Sequence, residues 1–253
     1  MMKINSNNLH QVLQAIRDYA ADKENDAERY VLAEHLSMAA YPKFKFSEFG
    51  RIFLEDEEFL SYYQSIMDPE NWHSLDRKYV MSQTLNLVTN LPGDFVECGV
   101  YKGATALLLC RVAQGAGRSV HLFDSFEGLP EPGSNDGDYW KAGSFAAGSK
   151  PTEEILASFS CHRIYKGWIP DRFAEAGDEP VAFVHIDVDL FQPTWDSLEY
   201  FYPRLSPGGI VLFDDYGFLS CPGAKKAVDD FFADKPEQIV SLSTGQALVQ
   251  KLF

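Results

Sequence analysis

The sequence predicts a Rossmann-like α/β protein with a mostly parallel sheet and a helical segment ahead of it. Three observations carry this. From residue 94 to about 215, short apolar, β-branched runs alternate with stretches of helical spacing, as in parallel strands joined by crossover helices. A glycine-containing turn, FVECGVYKGAT, closes the first run, and acidic residues close several of the others. At 253 residues the chain can bury one substantial core.

Residues 1–90 read as a mostly helical extension or cap. Val12, Leu13, Ile16 and Tyr19 share one helical face, and Tyr30, Leu32, Ala33 and Leu36 share another. The stretch YPKFKFSEFGRIFLEDEEFL, from Tyr41, is aromatic and irregular and suits a cap or an interface. Residues 73–90 read as a helix leading into the first strand, and the turn from Asn90 to Asp94 is not a domain linker. The second unit, 91–253, holds strands expected near 94–98, 119–123, 162–166, 181–187 and 208–214. The segment 127–151 is long and rich in Gly, Ser and Pro, as expected of a lid or substrate loop. A helix over AKKAVDDFFAD follows, and IVSLSTGQALVQKLF reads as two strands joined at Ser243–Gly245.

Composition excludes several classes. The net charge of −15 argues against nucleic acid and anionic membranes, which call for Lys/Arg patches. Cys98, Cys110, Cys161 and Cys221 lack paired spacing, as expected of free thiols in a reducing compartment. The sequence opens without a signal-peptide core and holds no apolar stretch long enough to span a bilayer, so a soluble cytoplasmic protein is expected.

The richest chemistry lies in two acidic sets. Asp187 and Asp189 follow VAFVHI, and Asp214 and Asp215 follow GIVLF. If those runs are neighbouring parallel strands, both sets emerge at the sheet edge where open α/β folds bind ligands. Crowded carboxylates resist joint ionisation unless a cation sits among them, and oxygen-only ligation favours Mg²⁺ or Ca²⁺. A lone Asp after a strand is as readily a helix cap or turn residue.

The turn from Glu97 supplies a cofactor loop. Gly99 and Gly103 let the backbone turn tightly and approach a ligand, but their spacing of four is not that of a dinucleotide site. Glu97 would repel a pyrophosphate and suits a cationic ligand such as S-adenosylmethionine, whose carboxylate could use the amides of the following helix, opening near Ala104. Asp124, ending SVHLFD, stands where Rossmann-like folds bind ribose hydroxyls.

Together FVECGVYKGAT, LFDSFEGLPEP, KGWIPD, HIDVDLFQPTWDSLEYFYPRLSPGGIVLFDDYG and AKKAVDDF resemble the macrocin O-methyltransferase family across residues 74–235. The family includes enzymes that methylate sugar hydroxyls on macrolide and aminocoumarin antibiotics. The resemblance implies a class I methyltransferase fold, a seven-stranded sheet with an antiparallel C-terminal hairpin, and use of S-adenosylmethionine and Mg²⁺. It further implies Asp187, Asp214 and Asp215 as metal ligands and Asp189 as general base. It implies Glu97, Gly99, Val100, Tyr101 and Gly103 as the cofactor loop, joined by Asp124, Ser125, Phe126 and Asp187. Gly167 and Trp168 match a stretch near the adenine. Val188 stands where the antibiotic enzymes tend to have Gly.

The residues suit that chemistry. A sugar hydroxyl is a poor nucleophile, and a cation on the aspartates could lower its pKa while Asp189 takes the proton. The expected acceptor is a sugar or glycosylated small molecule, with a catechol-like diol as alternative. His185 shares the strand face of Asp187 and is a second candidate base or a buried structural histidine. Arg77 is expected to hydrogen-bond the cofactor or to tie down the N-terminal segment. Tyr139 and Trp140 suit a sugar ring or packing on the body. The DVD at 187–189 also resembles the metal-binding DxD of nucleotide-sugar glycosyltransferases, and a non-catalytic scaffold is a further alternative. The aromatic N-terminal segment suggests a homo-oligomer.

Overall fold

A computed structural model describes residues 6–21, 26–40, 52–67 and 73–253. The chain divides into two compact units, Met1–Glu57 and Glu58–Phe253. The first holds helices α1 (Ser6–Ala21) and α2 (Asp26–Ala40) and a 3₁₀ turn at Ile52–Glu55. Arg29 Nε donates to the Ala20 carbonyl at 3.3 Å, joining the two helices. Val12, Leu13, Tyr19 and Leu36 lie exposed on them. Most of the aromatic stretch after Tyr41 and the Tyr30 side chain lie outside the described residues.

The second unit begins within α3 (Glu57–Ile66), after its first residue, and continues with α4 (Leu75–Val88). Both helices pack within this compact unit. Tyr62, Met81 and Leu85 are fully buried, and the Tyr62 hydroxyl donates to the Ala104 carbonyl at 2.9 Å.

The strands are β1 (Asp94–Cys98), β2 (Val120–Asp124), β3 (His162–Lys166), β4 (Val181–Ile186), β5 (Leu205–Phe213), β6 (Val240–Ser241) and β7 (Ala247–Gln250). They form one seven-stranded sheet in the order β3-β2-β1-β4-β5-β7-β6. β1 to β5 pair in parallel, while β7 runs antiparallel to both β5 and β6. This is the class I methyltransferase arrangement, with the antiparallel strands expected from the tail. β5 starts three residues before the expected 208, because Ser206–Gly209 bulges between the pairs Val181–Leu205 and Phe183–Ile210. Its Pro-Gly-Gly reads locally as a turn, which hides the strand.

Helices α5 (Ala104–Ala116), α6 (Lys150–Ile155), α7 (Phe191–Phe201) and α8 (Pro222–Phe232) complete the unit. Strand alternation sorts the core. Val96, Cys98, Val184, Ile186, Val211 and Phe213 join Leu198, Phe201, Val228 and Phe231 of α7 and α8 in one cluster. Glu97 and His185 alternate to the other face. The chain winds from β1 through β2 to β3 on one side and from β4 to β5 on the other, so β1 and β4 flank the switch point where such sheets bind ligands.

Gly99 makes that crevice. Its φ is +86°, its amide donates to the Phe123 carbonyl at 2.9 Å, and a Cβ there would overlap the Asp187 carbonyl. Val188 packs against the same spot, 3.2 Å from where that Cβ would lie. A Gly99→Ala chain must therefore bear backbone strain and part β1 from the turn after β4. It should lose about 2–4 kcal/mol of stability, read as a lower urea midpoint at unchanged slope.

Candidate active site

The C-terminal ends of β1, β2, β4 and β5 open into a cavity of about 810 Å³, the size of a small-molecule site. Glu97, Gly99, Val100, Tyr101, Asp124, Ser125, Trp168, Asp187, Asp189, Asp214 and Asp215 all line it. Gly103, Phe126 and Gly167 do not line it and shape its backbone instead. Gly103 begins α5 in the left-handed region at φ +85°, packed on Thr152 and Ile155 of α6. The Phe126 amide donates to Asp124 Oδ1 at 2.5 Å, and the Gly167 amide donates to the Asp124 carbonyl at 2.9 Å.

Asp124 braces the loop it was expected to serve. Its Oδ2 accepts from the amides of Val100 at 2.7 Å and Tyr101 at 2.8 Å. Three amides thus fill most of its roughly four acceptor sites, so little capacity is left for the two hydroxyls of a ribose.

The acids form two neighbouring groups among the described residues. Atoms of His185, Asp187 and Asp214 lie within 4.8 Å of one another, as do atoms of Asp189, Asp215 and Cys221. Asp189 sits in the left-handed region at φ 59° and donates its amide to Asp215 Oδ2 at 2.8 Å. Its carboxylate accepts from the Cys221 thiol at 3.3 Å, and that sulfur accepts from Trp140 Nε1 at 3.3 Å.

Burial, then the Asp187 charge, pushes Asp189 up to about 7. Burial and the Asp214 charge raise Asp187, while burial and the charges of Asp189 and Asp187 lift Asp215 well above the carboxylate range. Asp214 moves the other way. Burial opposes its charge, but the His185 hydrogen bond and the Lys78 and Arg77 cations hold it far below the usual range.

His185 is wholly buried and lies outside the cavity lining. It bridges Glu97 Oε1 at 3.3 Å and Asp214 Oδ1 at 3.5 Å. Burial would lower its pKa, but those hydrogen bonds and the Asp214 and Asp187 charges raise it from 6.5 to about 9. Glu97 is itself raised by burial, and its Oε2 is buried without a hydrogen-bond partner at the cavity wall.

The cationic side of the site was not placed from the sequence. Arg77 reaches the acid at the end of β5. It pairs with Asp214 Oδ2 and lies over the Phe218 ring at 5.1 Å. Buried Lys78 donates to Thr105 Oγ1 at 2.6 Å, and Gln246 Nε2 donates to Asp214 Oδ1 at 2.7 Å. Only Gln246 carried a usable signal. It precedes the last strand of a hairpin, and Ala247 pairs with Phe213, the residue before Asp214.

The long loop lies against the body. Asp136 is buried and accepts from the amides of Gly133 at 2.7 Å and Phe191 at 2.6 Å. Trp140 packs on Phe145 at 4.9 Å, and Tyr139 is mostly exposed at the rim.

This sheet order, with a glycine crevice and acids at the strand ends, defines a class I Rossmann-like methyltransferase fold. More narrowly, the chain belongs to the macrocin O-methyltransferase (TylF) family, whose model matches residues 76–240. Demethyldecarbamoylnovobiocin O-methyltransferase of Streptomyces niveus is 34% identical over 171 residues, 60% of this chain and 64% of that protein. The 8-demethyl-8-(2,3-dimethoxy-alpha-L-rhamnosyl)-tetracenomycin-C 4'-O-methyltransferase of Streptomyces olivaceus is 34% identical over 159 residues, 57% of this chain and 60% of that protein. The chain thus spans just under two thirds of either relative. The structure of the O-methyltransferase NovP superposes with a TM-score of 0.64 at 27% identity, covering 73% of this chain and 84% of NovP.

His185→Ala leaves Glu97 and Asp214 without their shared partner and should cost about 3–5 kcal/mol in chelator. The sign of the pH dependence follows from a folded-state pKa of about 9 against 6.5 unfolded. The contribution of His185 is full below pH 6.5 and is lost as pH rises through about 9. Denaturation midpoints measured across that window should fall in the wild type and lose this component in the variant.

Proposed function

We propose that the protein is an S-adenosylmethionine-dependent O-methyltransferase acting on a hydroxyl of a sugar or glycosylated small molecule, with Mg²⁺ as a second cofactor. The observation that carries the reading is one cavity holding both the glycine crevice after β1 and the four aspartates after β4 and β5. Family membership supports it, as do relatives named for methylating natural products, at least one of them a glycoside.

The residues present fit both groups. Glu97 Oε2, buried and without a partner, would accept from the cofactor's ammonium. Ala104 and Thr105 line the cavity at the start of α5, where helix amides favour a carboxylate. Asp124 would hold the loop that receives the cofactor and offer the ribose its remaining acceptor capacity, with Ser125 beside it. Trp168 would pack on the adenine.

For the cation, the donors are oxygen, and Asp187, Asp189 and Asp215 are carboxylates whose charge burial and mutual repulsion oppose. A divalent ion would offset that repulsion. Asp187, Asp214 and Asp215 would hold it. Bound there, Mg²⁺ supplies a Lewis acid that lowers the pKa of an acceptor hydroxyl, and S-adenosylmethionine supplies the methyl group.

This chain's residues do the rest. Asp189 Oδ2 would take the hydroxyl proton while Cys221 and the Asp215 contact keep its carboxylate in place. Tyr139, Trp140 and Phe145 would exclude water and pack on a sugar face. A catechol-like diol would use the same groups. A glycosyltransferase would leave the glycine crevice and Asp124 without a role.

Three further readings belong to this proposal. Residues 1–90 are an extension to a methyltransferase domain at 91–253, and the protein is cytoplasmic. It is also a homo-oligomer, a reading supported by the exposed apolar residues of α1 and α2. Among the described residues no helix is long and apolar enough to cross a membrane.

Calorimetry with S-adenosylhomocysteine, with and without Mg²⁺, tests the proposal. Wild type should bind the ligand, Asp124→Ala should lose binding by at least about tenfold, and Asp214→Ala should keep it while losing Mg²⁺. No binding by folded wild type would sink the methyltransferase reading.

A further inference from the structure

Asp214 is the one aspartate of the four that already has a full set of partners. Its Oδ1 accepts from Gln246 at 2.7 Å and faces His185 at 3.5 Å, and its Oδ2 is paired with Arg77. The guanidinium is not a loose surface group. Arg77 sits in the first turn of α4, a helix packed on β4 and β5. Its Nε donates to Ser74 Oγ at 2.8 Å, one face lies over Phe218, and its side chain is largely buried. It also lines the cavity. Ser74, Phe218 and Asp214 therefore hold a permanent cation on an oxygen that a metal would need.

We infer that Arg77 is a built-in counter-ion that occupies Asp214 in the metal-free protein and must yield that oxygen for a divalent cation to bind. The inference rests on the proposed metal site. The physics is direct. An arginine is always charged, so it cannot give way by losing a proton. A divalent ion on the same carboxylate oxygen would sit a few ångströms from the guanidinium, in a region where like charges are poorly screened. Entry of the metal is thus an exchange of cations. Arg77 stabilises the empty site and weakens its affinity for metal through one contact.

The two effects have opposite signs, and this separates the idea from a plain supporting role. If Arg77 merely oriented Asp214 as a ligand, its removal would weaken metal binding and lower stability together. Titrating full-length, metal-free protein with Mn²⁺, followed by electron paramagnetic resonance, distinguishes the cases. Arg77→Met keeps the stem and its contact with Phe218 but removes the charge. It should melt at a lower temperature without metal and bind Mn²⁺ more tightly, on the order of tenfold. Arg77→Lys, which keeps a charge, should bind close to wild type.

Equal or weaker Mn²⁺ binding by Arg77→Met would overturn the inference and leave the metal site standing. No Mn²⁺ bound by folded wild type would overturn both. A second measurement needs no variant. In ¹⁵N-labelled wild type, the Arg77 Nε–H resonance should shift and exchange faster with water when Mg²⁺ is added, and an unmoved resonance would count against the exchange.

Discussion

Charge at the end of the sheet is the constraint on which the other features depend. Glu97, Asp187, Asp189, Asp214 and Asp215 share one wall with Arg77 and Lys78, His185 lies buried behind it, and most of these groups are shut off from water. Taking so many charges out of water is expensive unless each finds a partner. Asp214 is satisfied by Arg77, Gln246 and His185, while Glu97 shares His185 and keeps one oxygen unpaired. The remaining aspartates are left with raised proton affinity. The protein thus holds an electrostatic deficit at one point, and the deficit has the sign and hardness that suit a divalent cation.

Backbone geometry keeps those charges in position. Gly99 lets the turn after β1 pass against the Asp187 carbonyl, which sets the spacing between the two halves of the crevice. Asp124 gathers three amides from two loops and ties them to the end of β2. Asp189 is held in a left-handed conformation that few side chains adopt, an arrangement that persists because its amide bonds to Asp215. Strain at such a place is common where a side chain has to be aimed.

Much of this was legible from local pattern. The strands at 94–98 and 162–166 fall where their apolar runs place them, since each run is short and bounded by turn residues. The convergence of Asp187, Asp189, Asp214 and Asp215 follows from two parallel strands ending together. What could not be read were partners brought in by packing. Nothing local to Arg77 indicates a residue 137 positions away, and Cys221 reads as an ordinary buried thiol until Trp140 and Asp189 are seen on either side of it. The start of β5 was hidden by a Pro-Gly-Gly that bulges inside a strand instead of ending it. The role of Asp124 was read from fold position, which says where a carboxylate sits but not how many amides reach it first.

Asp136 has a mechanical meaning. Its carboxylate holds the Gly133 amide of the loop and the Phe191 amide at the start of α7. It also fills the space beside Gly223 of α8, where any Cβ would strike it. Loop, α7 and α8 therefore meet at one hinge pin. The loop cannot swing away from the cavity without stripping a buried carboxylate of its donors or dragging the start of α7, two residues past Asp189, along with it. The position of the loop and the placement of Asp189 are then tied through one buried carboxylate.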